Sequence, residues 1–169
     1  MKILKRIGII LGAFLILALL FTVWYRATFS MEMAKEFEVN EAVDMQQRVL
    51  IATQGSEFKN AVVHGLVENL KDRPVYIKVI DISHLKAVHA NEWAVIVIIH
   101  TWEYQKPPAP VKEFADQVQS NENIVMLATS GDGGFKLEGF DAISSASKQS
   151  EVNTEVKTLL AKIERILNH

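Results

Sequence analysis

The sequence predicts a three-layer α/β domain with a mostly parallel sheet, preceded by one N-terminal transmembrane helix. The first observation is a stretch of nineteen uncharged residues near the N-terminus. The second is the alternation of strand-like and helical segments along the last 122 residues. The third is that two strand-like segments, 94–100 and 123–129, are apolar throughout. Such segments are typical of central strands in a parallel sheet, because helices cover both faces.

Composition restricts the class of function. The chain has 169 residues, 49% apolar side chains and no cysteine. Thiol redox catalysis, cysteine nucleophiles and cysteinyl metal sites are therefore excluded. Residues 27–169 carry 14 basic and 20 acidic residues, a net charge of −6. We expect no nucleic-acid partner, because nucleic-acid phosphates require a basic face.

The uncharged stretch Ile7–Tyr25 is predicted to be a membrane anchor within residues 1–26. As a helix, nineteen residues span roughly 28 Å, close to the thickness of the bilayer hydrocarbon. A cleaved signal peptide is the alternative, but the small residues of a cleavage site are missing. Trp24 and Tyr25 are typical of an interfacial aromatic belt. We therefore expect an uncleaved single-pass anchor.

The charges that flank the anchor predict its orientation. Lys2, Lys5 and Arg6 precede the apolar stretch, and Arg26 follows it. The excess of positive charge on the N-terminal side places the N-terminus in the cytoplasm. We expect the rest of the chain to be extracytoplasmic.

Residues 27–47 are predicted to form a partly helical juxtamembrane stalk. Their apolar residues are irregularly spaced among five acidic ones. A helix lying on the membrane would bring lysine and arginine to its polar face, and only Lys35 is present here. We interpret the stalk as a spacer that keeps the domain, residues 48–169, away from the lipid headgroups.

Within the domain, apolar periodicity predicts alternating strands and helices. The strands are expected at 49–53, 75–82, 94–100, 123–129 and 141–146, and the helices at 57–71, 83–88, 111–118 and 152–167. Ser56 is a suitable N-cap for the first helix. Between Thr129 and Asp141 there is no helical periodicity, so either a bare loop crosses the sheet edge or the last strand runs antiparallel. The sequence leaves both possibilities open.

One segment, RVLIATQGSEFKNAVVHGLVENL, begins this succession, and polar or aromatic loops follow the first, third and fourth strands. This arrangement resembles the flavodoxin-like family over about 120 residues. The resemblance implies a strand order of 2-1-3-4-5, with a short or atypical fifth strand. It also implies FMN as cofactor, bound at the carboxyl ends of strands one and three. The chain would be a divergent, membrane-anchored member.

In that family, the loop after the first strand holds the cofactor phosphate at a helix N-terminus. Hydroxyl, amide and ammonium groups suit a phosphate, and glycine permits close approach of the backbone. The residues with these properties here are Thr53, Gly55, Ser56, Lys59 and Asn60. The family's Thr-Gly-Asn-Thr core is absent, and Glu57 brings a negative charge to the helix start. The same residues also fit a capped helix N-terminus with no ligand.

Two further loops stand where the resemblance places the flavin ring. Aromatic side chains after the third strand would stack on the ring, and backbone amides after the fourth would bond its edge. The candidate residues in these loops are Thr101, Trp102, Tyr104, Thr129, Ser130 and Gly131. The alternatives are aromatics that cover a hydrophobic edge and an ordinary glycine-rich turn.

Two functions remain in contention. The first is FMN binding with electron transfer at a membrane, together with a redox protein partner. The second is a non-catalytic binding or scaffold module whose cofactor site is vacant. Aromatic and hydroxyl-rich loops favour the first, whereas Glu57 and the altered phosphate loop favour the second. No catalytic residue or metal ligand is predicted, because the histidines lack metal-ligand spacing and hydrolase, nucleotide-phosphate and dinucleotide motifs are absent.

Overall fold

The computed structural model describes residues 2–29, 31–40, 45, 47–103, 105–118, 122–131, 133–135 and 137–168. The chain divides into two compact units, Met1–Met31 and Glu32–His169. The first unit contains helix α1 (Lys2–Phe29). Its apolar window Lys5–Trp24 has a mean hydropathy of 2.7 over 20 residues. A helix of that length rises about 30 Å, which is long and apolar enough to span a membrane.

The second unit is a three-layer α/β domain. Most of its elements begin and end within two residues of their expected positions, and the last helix has the expected bounds. The strands are β1 (Phe37–Val39), β2 (Gln47–Thr53), β3 (Val75–Asp81), β4 (Val95–Thr101), β5 (Ile124–Thr129) and β6 (Asp141–Ser145). The helices are α2 (Glu57–Leu70), α3 (Ala109–Gln117) and α4 (Val152–Leu167), and short 3₁₀ helices cover Ile82–Ala87, Ala90–Glu92 and Gln149–Glu151.

All strands join one sheet of order β1-β3-β2-β4-β5-β6. The five strands from β2 to β6 are parallel, and their order agrees with the 2-1-3-4-5 order expected from the sequence. β6 pairs with β5 in parallel, with Val125 opposite Asp141. Because β6 is parallel to β5, the link between them returns from the carboxyl end of β5 to the opposite edge of the sheet, where β6 begins. The described residues of that link form no helix.

Part of the expected stalk belongs to the sheet instead. β1 pairs antiparallel with β3, with Phe37 opposite Val79. Glu38 forms an ion pair with Lys78 at 2.8 Å, and Val39 packs against the core. The expectation of a partly helical stalk over 27–47 is therefore wrong for the described residues 32–40, which form a strap along the domain. Pairing with the free edge of β3 favours this extended conformation, since it satisfies backbone groups of both strands.

Two apolar cores lie on opposite faces of the sheet. One face packs against α2 and α4 and includes Val97, Leu66 and Leu159. The other packs against the 3₁₀ helix Ile82–Ala87 and α3. Because successive residues of a strand face opposite sides, β4 contributes to both cores and is buried on both faces.

Candidate functional site

The carboxyl ends of β2, β4 and β5 lie side by side at one edge of the sheet. Thr53, Thr101 and Thr129 are the last residues of these strands. From β2 the chain continues to β3 on one side and then to β4 on the other. Strand order thus reverses between β2 and β4, and such a switch point opens the crevice where open α/β sheets bind ligands.

The loop between β2 and α2 ends in a helix cap. The Ser56 hydroxyl accepts a hydrogen bond from the backbone N–H of Lys59 at 3.3 Å. Glu57 lies in the first turn, where its negative charge complements the helix dipole. The predicted N-cap is therefore confirmed.

The strap closes over Gly55 in the same loop. Gly55 N–H donates to the Glu32 carbonyl at 2.7 Å, and Glu32 N–H donates to the Gly55 carbonyl at 3.2 Å. A Cβ at position 55 would lie 2.8 Å from the Glu32 carbonyl oxygen and 2.9 Å from that of Met33. The backbone that approaches Gly55 is therefore the strap, whereas the sequence suggested a ligand.

Lys59 occupies the centre of the carboxyl edge. Its side chain is 1% exposed, and Nζ donates to Thr101 Oγ1 at 2.6 Å and to Ser56 Oγ at 3.4 Å. Thr101 Oγ1 in turn lies 2.9 Å from Thr129 Oγ1. Four of the predicted residues, from three separate segments, thus form one continuous polar cluster, which we call the Lys59 cluster: Ser56, Lys59, Thr101 and Thr129.

Burial changes the acid–base behaviour of this cluster. Removal of the ammonium from water lowers the pKa of Lys59 to about 8, and the negative charge of Glu103 opposes that shift. An anion beside Nζ would favour the charged form and raise the pKa again. The Lys59 cluster is therefore chemically suited to an anionic group.

Gln54 is a site residue that the sequence analysis missed. Its side chain is 7% exposed, and its Oε1 accepts a hydrogen bond from Thr101 N–H at 2.7 Å. The backbone N–H of Gln54 donates to the Ile99 carbonyl at 3.3 Å. Gln54 thereby ties the loop after β2 to the end of β4. Its signal in the sequence is a lone amide side chain directly after an apolar strand.

The aromatic part of the site lies after β4. Trp102 stacks on Phe135, with ring centroids 5.4 Å apart and an interplanar angle of 27°. Its backbone N–H donates to the Thr129 carbonyl at 2.7 Å. Phe135 was not among the expected site residues, because nothing in its local sequence shows that the loop after β5 folds back onto Trp102. Tyr104, the other expected aromatic, lies outside the described residues.

The loop after β5 is held by its own hydrogen bonds. The Ser130 hydroxyl accepts from Gly133 N–H at 2.9 Å, and Ser130 N–H donates to the Ser145 carbonyl at 3.1 Å. Gly131 is exposed. These contacts favour the turn interpretation, and the role of both residues in ligand binding stays a prediction.

Thr53 and Asn60 lie on another side of the loop after β2. Together with Ala34, Phe37 and Val79 they line a cleft of about 470 Å³ on the β3 side. Within the described residues, no hydrogen bond joins the side chains of Thr53 and Asn60 to the Lys59 cluster, although the sequence grouped them with Ser56 and Lys59.

Known proteins were compared with this chain at the levels of sequence and structure. No family model matches, and no curated protein has a similar sequence. An archaeal flavodoxin is 14% identical, with a TM-score of 0.49 over 73% of this chain and 100% of its own. The Flv1 flavodiiron core from Synechocystis sp. PCC6803 is 11% identical, with a TM-score of 0.48 over 76% of this chain and 38% of its own.

A third similar structure is general stress protein 14 from Treponema denticola in complex with FMN. It is 10% identical, with a TM-score of 0.40 over 71% of this chain and 99% of its own. Independently of these likenesses, the domain has five parallel strands in the order 2-1-3-4-5 and helical layers on both faces. Residues 32–169 therefore have the strand order and layers of the flavodoxin-like fold.

Proposed function

We propose that this domain binds FMN at the carboxyl edge of its sheet and takes part in electron transfer at a membrane. The observation that carries the proposal is the buried ammonium of Lys59, held among hydroxyl groups at the first turn of α2. It lies at the switch point between β2 and β4, where the fold places its ligands. When bound, FMN supplies the redox chemistry.

The phosphate of FMN fits the Lys59 cluster on electrostatic grounds. Taking an ammonium out of water is costly, and a nearby anion offsets part of that cost. The hydroxyls of Ser56 and Thr101 are additional donors, and the N-terminus of α2 favours negative charge. Glu57 opposes an anion here, although its side chain is exposed and its charge is therefore screened by solvent.

The flavin ring would lie against Trp102. This side chain is now covered by Phe135, so the ring must replace Phe135 on one face of the indole. Stacked aromatic pairs contribute about 0.5–1.5 kcal/mol beyond their burial, an amount that a larger ring can replace. In binding the ring, the chain provides the stacking face and excludes water from it.

Helix α1 would anchor the domain to the membrane. We propose the orientation given by the flanking charges, with the N-terminus cytoplasmic and the domain extracytoplasmic. A redox protein at the same membrane is then the expected partner for electron exchange.

A titration of FMN into the full chain in mild detergent tests the cofactor, with flavin fluorescence as the readout. We expect wild type to bind FMN. The affinity should be at least about tenfold lower for Lys59→Met, which removes the cation that pairs with the phosphate, and for Ser56→Asp, whose negative charge repels the phosphate. Lys112→Met is the matched control, because Lys112 is exposed on α3 and pairs with Asp116 at 2.7 Å. Unchanged fluorescence of wild type at high micromolar FMN would reject the proposal.

A second candidate is the non-catalytic binding or scaffold module. Two observations favour it: Gly55 N–H is already bonded to Glu32, and Trp102 is already stacked on Phe135. Both loops are thus satisfied by contacts within the chain. This candidate predicts that protein purified in mild detergent shows no flavin absorbance and that Lys59→Met alters stability alone.

A further inference from the structure

The side chains of His100 and Trp102, at the carboxyl edge, contain buried nitrogen atoms that make no hydrogen bond within the described part of the chain. His100 is 0% exposed, and neither its Nδ1 nor its Nε2 has a hydrogen-bond partner there. The same holds for Nε1 of Trp102. Buried polar atoms are nearly always bonded, because an orphaned one has lost its hydration without a replacement. Two such side chains side by side call for a functional explanation.

These side chains lie on the opposite face of β4 from the Lys59 cluster. Thr101 turns toward α2 and bonds Lys59. Because strand residues alternate, His100 faces the other side, and its ring centroid lies 6.5 Å from that of Trp102. The end of β4 thus presents an anion-binding face and an aromatic, polar face in consecutive residues.

Phe135 covers the aromatic face. It stacks on Trp102 and comes from the link between β5 and β6, whose described residues form no helix. The Ser144 hydroxyl of β6 donates to the Phe135 carbonyl at 2.9 Å, so the backbone is fixed here and a change of the Phe135 side-chain rotamer would be enough to clear Trp102. Displacement of the Phe135 ring would uncover one face of the Trp102 indole, beside which the His100 ring lies.

We infer that His100 is a ligand-recognition residue, which hydrogen-bonds the polar edge of a planar heterocycle that replaces Phe135 on Trp102. The inference rests on the proposed flavin function. The pyrimidine edge of the isoalloxazine ring offers an imide N–H between two carbonyls. An uncharged imidazole has one acceptor nitrogen and one donor nitrogen, so it complements either kind of atom on that edge.

The test uses the full chain in detergent with lumiflavin, which lacks the phosphate, and N3-methyl-lumiflavin, whose imide is blocked. We expect wild type to bind lumiflavin at least about tenfold more tightly than the methylated ring, since a blocked hydrogen bond leaves buried groups unpaired. His100→Leu should lose this preference, and His100→Asn, which keeps a donor and an acceptor, should retain most of it. His100→Leu should also unfold at the same or a higher temperature, because it removes an orphaned polar group.

Phe135→Ala is a second, independent variant. It removes the side chain that competes for Trp102, and we therefore expect it to tighten lumiflavin binding. If His100→Leu keeps the wild-type preference, the recognition role of His100 is overturned. If Phe135→Ala weakens binding, the replacement of Phe135 by the ring is overturned. FMN binding stands in both cases. If wild type binds no FMN, the proposed function fails first and this inference fails with it. A sharp fall in the melting temperature of His100→Leu would instead show that the imidazole is bonded to buried water, which also overturns the inference.

Discussion

Lys59 connects burial, charge and ligand chemistry within one side chain. Its hydrocarbon stem and ammonium are both removed from solvent, yet Nζ donates to the Thr101 hydroxyl at the end of β4, which in turn bonds the Thr129 hydroxyl at the end of β5. A methionine of similar length would fill the same space without the charge. A comparison of wild type with Lys59→Met therefore measures what the buried charge contributes to stability.

The pKa of Lys59 predicts how stability depends on pH. Burial lowers this pKa from 10.5 to about 8 in the folded domain. Between these values the unfolded chain holds a proton that the folded domain lacks, so the contribution of Lys59 to stability rises with pH, by at most about 1.4 kcal/mol per pH unit. Urea unfolding from pH 7.5 to 10.5 should show this slope in wild type. Equal slopes in wild type and Lys59→Met would contradict the buried ammonium.

His100 predicts a pH dependence on the acid side. Burial, reinforced by the positive charge of Lys59, lowers the pKa of His100 from 6.5 to about 4. As pH falls through this window the unfolded chain takes up a proton and the folded domain does not, so stability decreases. Thermal unfolding between pH 4 and 7 should show that loss in wild type and in His89→Leu, an exposed control. The loss should be smaller in His100→Leu.

Ile98 tests the packing of the central strand. It is 0% exposed and lies between Ala52 of β2 and Met126 of β5. Ile98→Ala should lower the free energy of unfolding by roughly 2–5 kcal/mol, because it removes buried methyl groups and leaves a cavity. Val39→Ala on the short edge strand should cost less. A loss below about 1 kcal/mol at Ile98, measured by urea unfolding, would be inconsistent with a fully buried strand.

At the scale of elements, α2 and α4 lie side by side on one face of the sheet. The contact depends on Gly65, where a Cβ would lie 2.7 Å from Val156 Cγ2. Alanine normally favours a helix over glycine by about 1 kcal/mol. Here the close approach of α4 reverses this preference, because an alanine Cβ at position 65 would collide with Val156.

We therefore expect Gly65→Ala to destabilise the domain by about 1–3 kcal/mol, as overpacking does. Val156→Ala in the same chain should recover part of the loss, because it removes the methyl groups that the new Cβ meets. A double-mutant cycle by urea unfolding measures this coupling. Additive effects of the two substitutions would show that the helices do not meet at these residues.

Element prediction succeeded where periodicity was strong and failed where pairing was long-range. The apolar stripe of α4 predicted its bounds, Val152–Leu167. β1 was missed because its conformation depends on the edge of β3, which lies about 40 residues further along the chain. The direction of β6 was left open for the same reason, since the pairing partner determines it.

The whole molecule combines a long apolar helix with a folded domain. We expect the intact chain to stay in the membrane fraction after carbonate extraction, because about 20 apolar residues span the hydrocarbon. Protease added outside spheroplasts should digest the domain if the flanking charges orient α1 as expected. A mature N-terminus after Tyr25 would reject the anchor, and protection of the domain would reject the orientation.

The order of the parallel strands was an expectation from the resemblance to the flavodoxin-like family. The sequence by itself determined the class of the fold, the apolar helix and the segments that form the carboxyl edge. These features depend on local periodicity and on general rules of α/β connection, which a single chain displays. Tertiary structure alone decided which side chains meet there. Lys59 reaches Thr101, the strap covers Gly55, and Phe135 covers Trp102. Each of these contacts joins residues distant in sequence, and packing of the complete sheet and its helices selects them.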